Sequence, residues 1–123
     1  MLTVADIDAT VRFYTDVLGM EAEVFEGGRR GLRFGSSKIN LHEAGNEFEP
    51  RAARPTPGSA DFCLIVDDPL DEVITQLNSY GVPIIRGPVE RIGAQGLIRS
   101  VYLRDPDHNL VELSNYVNPE VTQ

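Results

Sequence analysis

The 123-residue chain has 41% hydrophobic and 24% charged residues, ordinary values for one globular domain that buries its own core. Its 19 acidic against 11 basic side chains give a formal net charge of −8, which argues against nucleic-acid or anionic-membrane partners. No apolar run approaches the ~20 residues of a membrane span and no signal peptide opens the chain, so a cytoplasmic protein is expected. Cys63 is the single cysteine, which forbids an internal disulfide. Inside its apolar run it reads as a small buried residue in a reducing compartment.

In chain order, a short strand over 1–4 leads into a helical pattern with Ile7, Val11, Tyr14 and Leu18 on one face, stopped by Gly19. Strand-like segments follow at 20–26, 30–35 and 37–43, with a Gly27-Gly28 turn between the first two. Residues 44–59, with Pro50, Pro55, Pro57 and Gly58, form a linker. The pattern then repeats. A strand at 61–66 precedes a helix marked by Leu70, Val73, Ile74 and Leu77 and stopped by Gly81. Strands follow at 82–91, 97–104 and 109–116, with a Gly93/Gly96 hairpin whose glycines precede no helix and so form no phosphate cradle. Val4 matches Val66, Asp6 matches Asp68, Val11 matches Val73 and Gly19 matches Gly81 at one common offset, which indicates a duplication. Asp6 and Asp68 are the candidate N-caps, with Pro69 tolerated in a first turn. The fold class is therefore α+β, two βαβββ modules of about 1–43 and 60–117 in a single domain.

The segment Asp105-Pro106-Asp107-His108-Asn109 is a tight turn, because Pro fixes φ while Asp and Asn bond their own backbone. The strand after it places Leu110, Glu112 and Ser114 on one face, and Val111 and Leu113 on the other. A carboxylate on an interior face needs a positive or hydrogen-bonding partner. A divalent metal would serve Glu112 well; a salt bridge with an arginine such as Arg99 is the plainer alternative. His108 reads as a solvated turn histidine, and Arg51 and Arg54 as surface charge.

Three motifs carry a resemblance over nearly the whole chain: Phe13-Tyr14 with Val17-Leu18-Gly19-Met20, Pro57-Gly58-Ser59-Ala60-Asp61, and Asp105-Pro106-Asp107 with Asn109 to Glu112. With these the chain resembles the vicinal oxygen chelate superfamily of glyoxalase I, fosfomycin-resistance enzymes, extradiol dioxygenases and bleomycin-binding proteins. More narrowly, 38–43 and 46–50 resemble a glyoxalase-like subgroup labelled virulence or glyoxalase-domain proteins. The resemblance implies paired modules forming a U-shaped trough that holds one divalent ion. Glu112 matches a metal-ligand position and would also be the catalytic carboxylate. In the strand at 37–43, alternation turns Asn40 and His42 away from the helix, and His42 is the better ligand. Asp61 stands where the family commonly has His, and the offset puts the remaining ligand at −1, before Met1. Met1 is therefore expected to be an internal codon of a longer reading frame. Ser100, Tyr102 and Asn40 would contact substrate.

The resemblance thus implies a lyase, isomerase or dioxygenase acting on a small oxygenated molecule through Ni, Zn, Mn or Fe, with His42, Asp61 and Glu112 as metal ligands. The plainer readings are a hydrogen-bonded strand-end histidine for His42, a cap or turn residue for Asp61, and a core tyrosine for Tyr102. The alternative function is a metal-free binding protein of the bleomycin-resistance type, which an acidic chain suits for a cationic ligand but which lacks Trp for its walls. Relatives commonly form symmetric dimers, so a homodimer is expected.

Overall fold

A computed structural model describes residues 1–47, Glu49 and 51–117. Phe48 and Pro50 of the 46–50 motif lie outside the described residues. The chain divides into two compact units, 1–60 together with 105–109, and 61–104 together with the chain from 110 onward.

In the first unit the elements are β1 (Leu2–Val4), α1 (Ile7–Arg12), β2 (Glu21–Val24), β3 (Arg30–Phe34) and β4 (Ser37–Glu43). The sheet order is β1-β4-β3-β2, with β1 parallel to β4 and the other pairs antiparallel. Asp6 starts α1 as expected, its carboxylate accepting from the Ala9 N–H at 3.1 Å. The helix does not run unchanged to Gly19: Phe13–Val17 form one π-helical turn, and Gly19 then reverses the chain at φ +72°. The Gly27-Gly28 turn is a 3₁₀ turn, Glu26–Gly28, so β2 ends at Val24. Packing sets the two faces of β4. Leu41 lies opposite Leu2 on β1, and both are buried with Val4, Leu32, Tyr14 and Val17 where α1 packs on β4. Asn40 and His42 point to the other face, opposite Gly31 and Thr3 respectively.

The second unit holds β5 (Asp61–Ile65), α2 (Leu70–Ser79), β6 (Arg86–Gly93), β7 (Gly96–Arg104) and β8 (Leu110–Tyr116), in sheet order β5-β8-β7-β6. The same βαβββ order thus occurs twice, the α+β architecture expected of the duplication. Leu64, Leu70, Leu77, Val101, Leu103, Val111 and Leu113 are buried where α2 packs on β7 and β8. Each such side chain contributes about 1.5–3 kcal/mol on burial.

Two local expectations are corrected. Residues 82–85 precede β6 rather than opening it, so the strand starts at Arg86. Pro69, not Asp68, occupies the N-cap of α2, and Pro has no side-chain acceptor to offer. Asn115 of β8 supplies it instead: its Oδ1 accepts from the Leu70 N–H at 2.7 Å, and its Nδ2 donates to the carbonyls of Val66 and Asp68. No described helix is long and apolar enough to cross a membrane.

Candidate functional site

The Asp-Pro-Asp turn is a clamp inside the first unit. Asp105 is 4% exposed, and its carboxylate accepts from the Tyr14 hydroxyl at 2.7 Å, the backbone N–H groups of Asp107 and Asn109, and the Asn109 amide. Asn109 in turn accepts from the Ala60 N–H, and Asp107 from the Ala5 N–H. Burial, reinforced by the adjacent Asp105 carboxylate, pushes the Tyr14 phenol far above its ordinary value, so it stays a donor at any working pH. Gly58 completes the fit: its φ is +80°, and a Cβ there would stand 2.6 Å from the Asp107 carbonyl oxygen. The most recognisable motif of the sequence is therefore explained here by hydrogen bonding. His108, at φ +67°, is exposed on this turn.

In the second unit, Glu112 lies opposite both Cys63 on β5 and Tyr102 on β7, so all three side chains share one face. Ser100 and Ser114, an opposed pair on the same face, are fully buried. Ser100 Oγ donates to Glu112 Oε2 at 2.6 Å. Ser114 Oγ shares a hydrogen bond with Ser100 Oγ at 2.7 Å, faces Glu112 Oε2 as a donor at 3.4 Å, and lies 3.4 Å from the Cys63 sulfur. The network links the thiol to the carboxylate through the two serines and leaves Glu112 Oε1 without a hydrogen bond among the described residues. Partial burial and the Glu112 charge raise the Cys63 pKa against the lowering effect of the Ser114 hydrogen bond, so the sulfur remains protonated. Cys63 is exposed, contrary to the buried residue its apolar surroundings suggested, because alternation turns it to the Glu112 face. Arg99 is on the opposite face and pairs with Asp71, so it does not neutralise Glu112. Arg91 reaches Tyr102 instead, its guanidinium 6.0 Å from the ring centroid. Asp61 is exposed on this face opposite Leu110, two residues along the strand from the position that faces Glu112.

In the first unit, His42 is only 1% exposed although it points away from α1. It lines a cavity of about 290 Å³ with Met1, Thr3, Arg51, Ala52 and Pro55. Burial holds its imidazole below the ordinary value, against the opposing pull of Glu47, so the ring is neutral near pH 7. Arg51 is tied to Glu47 at 3.3 Å and Glu49 at 3.4 Å, so it adds no net positive charge beside the cavity. Asn40 Oδ1 is buried and has no hydrogen-bond partner among the described residues.

A family model for the Glyoxalase/Bleomycin resistance protein/Dioxygenase superfamily matches residues 1–113. The chain belongs to this superfamily. It is 54% identical over 117 residues to "Virulence protein STM3117" of Salmonella typhimurium, covering 95% of this chain and 81% of that protein. The crystal structure of that protein superposes with a TM-score of 0.92, over 94% of this chain and 92% of the other. "Glyoxalase domain-containing protein RDO1" of Mycosarcoma maydis is 49% identical over 116 residues, covering 94% of this chain and 65% of the relative. The structure of lactoylglutathione lyase from Agrobacterium tumefaciens matches at 27% identity and TM-score 0.69, covering 93% and 88% of the two chains.

Members of the superfamily often hold a divalent metal, and the donors of this glyoxalase-superfamily chain can be tested against one. Among the described residues, no three of His, Cys, Asp and Glu gather closely enough to hold an ion. Glu112 Oε2 is already engaged by Ser100, and Asp61 lies opposite Leu110 rather than Glu112. The described donors do not fit a complete metal centre. Sequence reasoning missed the Tyr14–Asp105 bond, the Asn115 cap and the Ser114–Cys63 link. Only alternation offers a signal for the last, since it places Ser114 on the Glu112 face.

Proposed function

We propose that this chain is a small-molecule-binding member of the glyoxalase superfamily whose ligand enters the His42 cavity. The observation that supports this most is the cavity itself: about 290 Å³, with a neutral imidazole, a guanidinium paired to carboxylates, a threonine, and otherwise Met, Ala and Pro on its walls. Such walls suit a small oxygenated molecule without net charge. Thr3 and His42 offer hydrogen bonds, and the apolar residues contribute burial. Glu112, held by Ser100, offers Oε1 as an acceptor on the second unit's corresponding sheet face, and Tyr102 presents its ring beside it.

A metal-dependent lyase, isomerase or dioxygenase is the second reading, supported by the likeness to lactoylglutathione lyase. The experiment is metal analysis of the purified protein, as isolated and after reconstitution with Ni, Zn, Mn and Fe(II), followed by calorimetric titration. The binding reading predicts no near-stoichiometric metal and unchanged thermal stability on metal addition. A stoichiometric ion that Glu112→Gln abolishes would replace it with the enzyme reading.

A further inference from the structure

Beside the His42 cavity, on the same face of the first sheet, four residues form an arrangement that the fold alone does not require. Gly31 lies opposite Asn40 in the β3–β4 ladder, so a side chain at 31 and that of Asn40 would stand side by side. Phe25 occupies the space the glycine leaves: a Cβ at 31 would meet its ring atoms Cε2 and Cζ at 2.7 and 3.2 Å. Lys38 caps the ring, its Nζ 4.2 Å from the centroid. Under this layer Asn40 Oδ1 is buried without a hydrogen bond among the described residues. A buried acceptor left unmade is costly, so such an atom marks a place where a donor is missing. Phe25 also stands at the start of a glycine turn. It precedes Gly27 and Gly28, both at positive φ, and its backbone is held by a short loop closed by the Phe25 N–H to Arg29 carbonyl bond.

We propose that Phe25 gates a second subsite beside the His42 cavity, where the Asn40 side-chain carbonyl receives a hydrogen bond from an amide N–H or hydroxyl of an apolar ligand. The inference rests on the His42 cavity as the ligand site and adds the ligand's chemistry: a donor carried next to an apolar ring. The ring swings off Gly31, the donor meets Oδ1, and the ligand's apolar part takes the surface the phenylalanine vacates.

The test uses two probes that share the benzoyl group, benzamide and N,N-dimethylbenzamide, of which only the first carries N–H donors. Nitrogen–proton correlation spectra follow the Asn40 amide and the His42 ring during titration. Benzamide should shift both residues and bind about two- to tenfold more tightly than its dimethyl analogue, the range of one neutral hydrogen bond. Asn40→Leu should abolish that preference. Phe25→Ala and Gly31→Ala should each tighten benzamide binding, the second because its methyl presses hardest on the edge of the Phe25 ring, with the Ile39 carbonyl oxygen 3.3 Å away. If His42 shifts while Asn40 does not, or if Asn40→Leu retains the preference, the gate is wrong and the cavity reading stands. Unchanged benzamide affinity in both Phe25→Ala and Gly31→Ala overturns the gate as well. If Asn40 responds and His42 does not, the cavity reading falls alone. If neither moves with either probe, both fall.

Discussion

Tyr14 shows how a single residue can carry a motif's meaning. Its hydroxyl donates to the Asp105 carboxylate at 2.7 Å, and both residues are buried. Tyr14→Phe removes that donor and nothing of the ring, so it should destabilise the chain by about 1–3 kcal/mol. Urea unfolding would measure this, and a change under a few tenths would mean Asp105 is satisfied without it. His42 makes a pH prediction. The ordinary imidazole value is 6.5 and the folded value lies below it, so above 6.5 the ring is neutral in both states and folding is unaffected. As pH falls from there the unfolded chain takes up the proton first, and stability declines until the folded ring also titrates. Thermal melts from pH 7.5 downward should therefore show a steeper loss in the native chain than in His42→Gln. Parallel losses would place the titration elsewhere.

At the level of elements, α2 depends on a side chain from a strand that follows it by more than thirty residues in sequence. Asn115 meets the Leu70 N–H and two loop carbonyls, so it fixes both the start of the helix and its seat on β8. Asn115→Ala should cost about 1–2 kcal/mol, as loss of a good cap does, whereas Asp68→Ala should stay within about 0.5 kcal/mol. Equal effects in chemical denaturation would restore Asp68 as the cap. The π turn belongs to the same scale. It brings Tyr14 to the Asp105 turn and lets the Met20 N–H reach the Tyr14 carbonyl at 3.0 Å.

For the whole molecule, each four-stranded sheet ends in two strands with no further partner in its own ladder, β1 and β2 in one, β5 and β6 in the other. Edges of this kind favour pairing with a second chain, and two-fold dimers are the commonest soluble assembly. We therefore expect a homodimer. Light scattering at micromolar concentration should return about twice the 13.6 kDa chain mass. A persistent monomer would mean that these edges are protected within one chain.

The order of elements was legible in the sequence because period, caps and glycine stops are local properties, and a duplication doubles each signal. The faces of Glu112, Asn40 and His42 were legible for the same reason: alternation along a strand is fixed by backbone geometry. What depends on register between strands was not. Asp61 and Glu112 both read as ligands, yet the β5–β8 ladder puts Cys63 opposite Glu112 and Asp61 opposite Leu110. Register also brought Ser100 and Ser114 together and left Gly31 as the place where Phe25 rests. The sequence determined which side chains face the site. Tertiary packing decided which of them touch, because a contact between distant segments is set by how the strands pair and not by any residue's own preference.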